Sequence, residues 1–576
     1  MAKVKKDQAK VRIRMYRQGL GDCFLLTFFT GKERKEVHML IDCGSIGKGE
    51  TGADMDDVIE NIKETTDNKL DILVVTHEHA DHVSGFNNRL EEKRRFEAFT
   101  IENVWLAWTE NKDFVLEAKI PTSKIKDDTL TALALTAQTI KSKTASNPEE
   151  QRVLQEIAAA ADLLGLGAGP LGDDHVLAAA DPDEPPLTVN GAMKYASRLA
   201  RKDPEYLKPG DMKFIDGWRF YVLGPPQEYK QLKKLEAEDE LYLSANQLAS
   251  TLAASGPFLA SSQQLDQYRK GLDANTRLQF DAGFPFDARF RIENENEDNT
   301  EAYKHLALAY EREDWRRIDY DWLASIGDLA LQMDNLTNNT SLVLAIECME
   351  DGRVLLFPGD AQLGNWETWD GTPANTSEHQ YPIKFQVPKP HGSSGELVEV
   401  SSADLLKKTI FYKVGHHSSH NATTRAGLDK MNTDADGKIS KEQTLVAVIP
   451  VDSKTAAVKG TKGWNMPDPE LYMALLEKTK GHVLRSDVGW PFIKDDKDET
   501  QKPPLWTEPS LWTNVKNKIL EFQDEIQTDT KSVTVVDEDK TYVSKVYKDP
   551  LEKFKIEYRQ NEDGSINGLY IDYFLF

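Results

Sequence analysis

Directly after the apolar run Leu70–Val75, the chain reads Thr76-His77-Glu78-His79-Ala80-Asp81-His82. Three histidines and an aspartate fall within six residues, in a chain that has only 12 histidines. LDILVV has the continuous apolar character of a strand buried on both faces. The carboxyl ends of such strands are where open α/β sheets place their sites. Neutral imidazoles and carboxylates are the donors that suit zinc, manganese or iron. The competing reading is a solvated loop that happens to be rich in histidine, and the spacing disfavours it.

Two later segments have the same form, a strand that stops at a candidate ligand. Val354–Phe357 runs into Pro358-Gly359-Asp360, and Ile410–Val414 runs into Gly415-His416-His417-Ser418-Ser419-His420. Alone, a Gly-Asp pair reads as a turn and a His pair as surface. Joined to the first motif, they complete a metal centre with a bridging carboxylate.

The rest of the chain bounds what this centre can belong to. With 576 residues the chain has room for several domains, and 39% apolar content suits a soluble globular protein. A formal net charge of −24 argues against coating nucleic acid by bulk charge, though a local basic groove is compatible with it. Cys23, Cys43 and Cys348 are too few and too scattered for a disulfide framework or a thiolate cluster, so a reducing, cytoplasmic setting is expected. No apolar stretch approaches 18 residues, so no membrane span is expected, and Cys23–Phe29 reads as a buried strand. GxSxG and P-loop patterns are absent.

Strands are predicted at Val11–Tyr16, Cys23–Phe29, Val37–Asp42 and Leu70–Thr76, with a crossover helix over 56–68. Met212–Ile215 and Trp218–Leu223 read as a hairpin turning at Asp216-Gly217. Strands resume at Ser341–Cys348, Val354–Phe357, Ile410–Val414 and Leu445–Pro450, before a helix over 468–480 and a strand at His482–Arg485. Ala- and Leu-rich segments at 130–140 and 153–167 read as helical. The expected layout is a core over 1–112, 209–226 and 336–500, helical insertions at 113–208 and 227–335, and a small β-rich C-terminal extension over 501–576.

This ordered set resembles the metallo-β-lactamase fold superfamily, and more closely the hydrolase domain of ComEC, the DNA-uptake channel protein of natural competence. The resemblance rests on Gly19-Leu20-Gly21-Asp22, Leu40-Ile41-Asp42-Cys43-Gly44, the HxHxDH motif, Asn338-Asn339-Thr340-Ser341-Leu342-Val343-Leu344, Gly359-Asp360 with Glu367, and His416-His417-Ser418-Ser419. It covers roughly 11–112, 210–225, 336–370 and 405–490. It implies an α/β protein with the four-layer αβ/βα metallo-β-lactamase fold and two divalent ions, zinc or manganese. His77 and His79 would hold one ion. Asp81, His82 and a histidine of the 416–417 pair would hold the other, with Asp360 bridging both. His417 is favoured as the ligand and His416 as a substrate contact. Asp42 is expected to orient a ligand and Asp22 to be structural. The chain departs from the family at Ser418, where a glycine is usual, and in lacking a persuasive further histidine, since His175 and His305 fall in the insertions. The ComEC-like pattern offers Asn338 and Asn339 there instead.

The mechanism that follows is hydrolysis by a water whose pKa the two ions lower toward neutrality. The leading expectation is a phosphodiesterase, in particular a nuclease with nucleic acid as substrate. The alternatives are a hydrolase of a phosphocholine-type ester, nucleotide or lactone roofed by the insertions, and a catalytically silent interaction protein. The insertions and the C-terminal extension offer surface for a protein partner. Lys413, Lys459 and Lys462 lie near the predicted active side, where phosphate could reach them. Asn432–Ile439 resembles the start of a calcium loop, but lacks the glutamate at its twelfth position and reads better as an Asp/Gly-rich surface loop.

Overall fold

The computed structural model describes residues 9–46, 53–86, 95–111, 114, 189–232, 234, 336–370, 382–388, 396–434, 436–458, 464–495, 497–537, 540–561 and 566–576. The chain divides into two compact units, and the described residues belong to the one made of 1–122, 168–239 and 335–576. The helical segments expected at 130–140 and 153–167, His175, His305, Lys459 and Lys462 lie outside the described residues.

Two sheets form the heart of this unit. In chain order the strands of the first are β1 (Val11–Tyr16), β2 (Cys23–Thr30), β3 (Lys35–Cys43), β4 (Lys69–Val75), β5 (Thr100–Ala107) and β6 (Glu205–Leu207). The second is built from β7 (Met212–Ile215), β8 (Trp218–Gly224), β9 (Val343–Cys348), β10 (Val354–Phe357), β13 (Thr409–Lys413), β14 (Val446–Ile449) and β15 (Val483–Arg485). A separate ribbon pairs β11 (Lys384–Pro388) with β12 (Leu397–Ser401). The C-terminal strands β16 (Thr530–Asp537), β17 (Lys540–Lys548), β18 (Phe554–Gln560) and β19 (Ile566–Leu575) add to the first sheet, giving the order β16-β17-β18-β19-β1-β2-β3-β4-β5-β6.

Alternation along β1 shows why the sheets pack face to face. Val11, Ile13 and Met15 point into the shared core, where they join Phe24, Met39, Ile72 and Val74 from the same sheet and Phe220, Leu344, Leu355 and Phe411 from the other. The opposite face of β1 carries Arg12 and Arg14, and Arg14 forms a two-point ion pair with Asp572 of β19 at 2.8 and 2.9 Å. Helix Met55–Thr66, capped by Asp54, buries Val58, Ile59 and Ile62. The outer face of the second sheet packs on helices that include Pro469–Thr479 and Pro509–Thr528, through Leu475, Leu476, Trp512, Val515 and Ile519. The layers are therefore helix, sheet, sheet, helix, the αβ/βα arrangement.

The C-terminal segment differs from the expected picture of a small β-rich unit. Its strands continue the first sheet through β19, which pairs antiparallel with β1 from Val11↔Leu575 to Tyr16↔Tyr570. It also contains the helix Pro509–Thr528, which a purely β-rich reading passes over. The segment 113–208 ends in core structure too, since β6 pairs parallel with β5 and Leu207 is buried in the shared core.

Candidate metal centre

The site lies where β3, β4, β10 and β13 stop. After β4, Thr76–His79 form a loop and Ala80–Val83 a single helical turn, all buried. Two glycines let this turn sit so deep. A Cβ on Gly44 would lie 2.3 Å from both the Asp81 carbonyl carbon and the His82 nitrogen, and one on Gly21 would lie 2.7 Å from the Asp81 oxygen. The contact is stitched by Asp22 N–H donating to the Asp81 carbonyl at 2.9 Å and Gly44 N–H to the Asp22 carbonyl at 3.0 Å. Gly44→Ala is therefore expected to displace the ligand turn, costing about 1–3 kcal/mol and most of the metal affinity. Thermal unfolding and metal titration of the variant check this, and wild-type values for both would sink it.

Asp81, His82, Asp360 and His417 converge, with one ligand atom from each lying within 4.8 Å of all the others. The hydrogen bonds behind them fix the imidazoles. His82 Nδ1–H donates to Asp42 Oδ2 at 2.8 Å, and His417 Nδ1–H donates to the Pro450 carbonyl at 2.6 Å. Each Nε2 lone pair is thereby turned inward, toward carboxylates. His417 Nε2 lies 2.8 Å from Asp81 Oδ2, and His82 Nε2 lies 3.1 Å from Asp360 Oδ2. Burial opposes charge on these imidazoles, but without a cation the carboxylates favour a proton on each of them, raising both pKa values, and a bound cation would stand in place of those protons. Asp81 Oδ1 and Asp360 Oδ2 are fully buried and have no hydrogen-bond partner among the described residues. The residues present thus fit a divalent cation.

His77 and His79 approach from the other side, with His77 Nε2 3.1 Å from His79 Nδ1. Thr76 Oγ1–H donates to Asp42 Oδ2 at 2.7 Å, so its oxygen accepts from His77 Nδ1–H at 3.1 Å and the His77 lone pair lies on Nε2, beside His79 Nδ1. Asp42 therefore holds two parts of the site, receiving Thr76 N–H at 2.8 Å as well. It adopts φ 56°, a left-handed conformation that aspartate tolerates better than most residues. Asp42→Ala is expected to weaken metal binding about 10- to 100-fold with the fold retained. A competition titration against a chromophoric chelator measures this; unchanged affinity would exclude the orienting role.

The electrostatics follow from burial and charge. Burial alone would lower the His82 pKa, but Asp360, Asp22, Asp81 and Asp42 together hold it well above its ordinary value. Burial and the fields of His82 and His79 hold His77 well below its own, and burial pulls His79 down to about 3. Burial opposes ionisation of Asp360, but His82 and Lys413 keep its carboxyl well below the usual range.

Lys413 is placed differently from the expectation that phosphate could reach it. It is buried, donates to Gly359 O at 2.9 Å and Asp360 Oδ1 at 3.1 Å, and forms a close ion pair with Asp22. His416 N–H also donates to Asp360 Oδ1, at 2.8 Å, so only Oδ2 of Asp360 faces the ligands. His416 stands outside the four-residue group, and its Nδ1 lies 2.8 Å from Ser419 Oγ. Asn339 is engaged on every side. Its Nδ2 donates to Leu232 O and Lys234 O at 3.1 and 3.0 Å, and its Oδ1 accepts from the backbone of Gln362 and Asn365 at 3.2 Å each. Asn339, expected to stand in for the family's further histidine, has no polar atom left for a role at the site. Asn338 is buried one residue earlier. Ser418, where the resemblance expects glycine, lies at φ 65°, and His416 and His417 are also left-handed at 44° and 49°. Three consecutive strained residues present the two histidines. Asn432–Ile439 closes as a turn loop, with Asp434 Oδ1 accepting from Asp436 N–H and Lys438 N–H.

Residues 17–185 match the model of the metallo-beta-lactamase superfamily. The chain carries a metallo-β-lactamase superfamily domain. The crystal structure of a beta-lactamase domain protein from Burkholderia ambifaria is similar over 37% of this chain and 45% of that one, at 18% identity and a TM-score of 0.16. No curated protein matches. The superfamily's chemistry is metal-dependent hydrolysis, and the buried group described above supplies ligands of the kind it uses. No helix among the described residues is long and apolar enough to cross a membrane.

Proposed function

We propose that this metallo-β-lactamase domain is a metal-dependent phosphodiesterase of the ComEC-like kind, acting on nucleic acid in the cytoplasm with two zinc or manganese ions. One observation carries the metal-dependent part of this proposal. Two imidazoles locked with Nε2 inward and two buried carboxylates with unbonded oxygens converge on one point. Asp81, His82, Asp360 and His417 would hold one ion, and His77 and His79, with Asp360, the other. When bound, such ions lower the pKa of a water and polarise the bond under attack. The nuclease part is supported by the ComEC-like motifs, whose Asp22, Asp42, Gly21 and Gly44 all pack against the ligand turn.

The chain's own residues divide the remaining work. Asp42, Thr76 and the Pro450 carbonyl keep three histidines in the ligating tautomer. Ser419 Oγ–H donates to Asn421 Oδ1 at 2.8 Å, so at His416 it accepts the Nδ1 proton and leaves Nε2 as a base. Burial lowers the His416 pKa, which keeps it neutral and able to take a proton from the attacking water and return it to the leaving oxygen.

The test is hydrolysis of bis-(p-nitrophenyl) phosphate and of labelled single- and double-stranded DNA, with Mn²⁺ and Zn²⁺ supplied separately. An Asp81→Ala/His82→Ala variant is the control. Metal-dependent cleavage of both substrates, lost in the control, is expected. Turnover of the small diester without DNA cleavage would move the substrate to a small phosphodiester. Absence of any turnover with metal bound would sink the proposal.

A further inference from the structure

A cavity of about 1230 Å³ opens between the loop that follows β15, the helix Pro509–Thr528 and strands β17–β19. That exceeds the roughly 300–1,000 Å³ of a small-molecule pocket. Its walls carry six cations, Arg17, Lys454, Arg485, Lys494, Lys502 and Lys545, against three carboxylates, Asp452, Asp487 and Asp498. In a chain with a net charge of −24, this is a local reversal of sign. The carboxylates are already engaged, and so are two of the cations, Arg485 with Asp487 and Lys502 with Glu499 at 3.3 Å. Asp487 takes Arg485 at 2.9 and 2.7 Å, Asp498 accepts from the Lys494 and Thr500 backbone at 2.8 and 2.9 Å, and Asp452 caps Thr455 at 2.9 Å.

Arg17 is the unusual member. It is only 2% exposed, and its guanidinium donates to two neutral carbonyls, Ser486 O at 2.6 Å and Gly568 O at 2.7 Å. Burial pulls its pKa down to about 10, against the more distant pull of Asp487 and Asp452, so it stays charged at neutral pH. A buried cation without a bonded carboxylate is costly, and phosphate matches a guanidinium fork. One buried donor is unmatched: the Trp490 indole N–H, on a residue 5% exposed, has no acceptor among the described residues. Phe492 beside it is 40% exposed.

One chain of hydrogen bonds links the cavity wall to the metal centre. His417 Nδ1–H donates to Pro450 O, the next residue's Val451 N–H donates to Ser486 Oγ at 2.7 Å, and Ser486 O accepts from Arg17. We propose that this cavity holds a run of single-stranded nucleic acid flanking the cleaved bond, with Arg17, Lys494 and Lys545 on phosphates and Phe492 against an unpaired base. The proposal rests on the phosphodiesterase reading above and assigns it a substrate track. Cations interleaved with an exposed aromatic face are the chemistry that single strands require.

The probe is a fluorescein-labelled twelve-nucleotide oligothymidylate, with binding followed by anisotropy in EDTA. Lys494→Glu/Lys545→Glu and, separately, Phe492→Ala change residues at the cavity's exposed and half-buried rim. Each is expected to weaken binding about tenfold or more, and the double variant to flatten the salt dependence by roughly 0.7 in log–log slope for each phosphate no longer neutralised. The ratio of oligonucleotide to bis-(p-nitrophenyl) phosphate kcat/KM is expected to fall to the same degree. Unchanged binding and an unchanged ratio would overturn the cavity proposal even if DNA is cleaved. A duplex of the same length bound as tightly, with the same losses, would overturn the single-strand assignment. Variant-sensitive binding without hydrolysis of either substrate would support the cavity while removing the phosphodiesterase reading.

Discussion

Lys413→Met lowers the unfolding free energy by about 3–5 kcal/mol, the cost of leaving buried charges without their partner. Methionine fills a similar volume, so the loss reads charge and not a cavity. The lysine touches Asp22 and Asp360, both buried, and donates to Gly359 O. Without it, two aspartates face each other across a dry interior, with only the histidines to offset them. The pH dependence separates this from a packing defect. In the native protein burial opposes Asp360 ionisation, but His82 and Lys413 hold its pKa depressed. Asp360 therefore contributes stability that is present above the unfolded carboxylate value of about 3.9 and is lost as pH falls through the folded one. In the variant the folded Asp360 carboxyl loses one of the two groups that hold it down and rises, so this contribution shrinks. The gap between variant and wild type therefore narrows on acidification, as the variant's folded carboxyl takes up its proton first. Denaturant titrations in EDTA at several pH values measure both. A variant within 1 kcal/mol of wild type, or a gap that does not change with pH, would show that Lys413 is ordinary packing.

Lys413 also marks where sequence reading stops. The ends of β1, β10 and the Met212–Ile215/Trp218 hairpin are legible because apolar runs there are bounded by Gly-Asp and Asp-Gly turns. Histidines and aspartates at strand ends advertise a metal centre for the same local reason. A lysine closing the strand TIFYK reads as the point where the chain meets solvent. Its burial is decided by Asp22 and Asp360, from β-strand ends far away in sequence, and no local pattern records that pairing. Asn339 fails in the opposite direction: it stands in a suggestive motif, yet four backbone groups claim its side chain. The helix Pro509–Thr528 is a plainer miss. Trp512, Val515, Ile519 and Ile526 recur at helical spacing and are buried, but the alternating strands after them set the reading of the whole tail. β5 is obscured because Glu102 and Asn103 interrupt its apolar run.

Asp360→Asn should separate function from folding in the way that Lys413→Met cannot. Asparagine keeps an oxygen for Lys413 Nζ and His416 N–H, which bond Oδ1 at 3.1 and 2.8 Å. It replaces Oδ2, the unbonded oxygen facing His82 Nε2 at 3.1 Å, with an amide that cannot ligate a cation and carries no charge. Burial opposes its ionisation, but His82 and Lys413 hold the Asp360 carboxyl well below the usual range, so its charge is favoured where it stands and neutralising it costs stability. The unfolding free energy in EDTA is therefore expected to fall by about 1–3 kcal/mol, less than for Lys413→Met, because both hydrogen bonds to Oδ1 are kept and Asp22 still pairs with Lys413. Metal content after dialysis against Zn²⁺ or Mn²⁺ falls below one equivalent, and turnover of the small diester drops by about three orders of magnitude. Atomic emission for the metal and a chromogenic assay for turnover measure the two arms independently. If the variant kept its full metal content and at least a tenth of its activity, Asp360 would be a structural partner of Lys413 alone, and the converging oxygens at Asp81 and Asp360 would need another explanation.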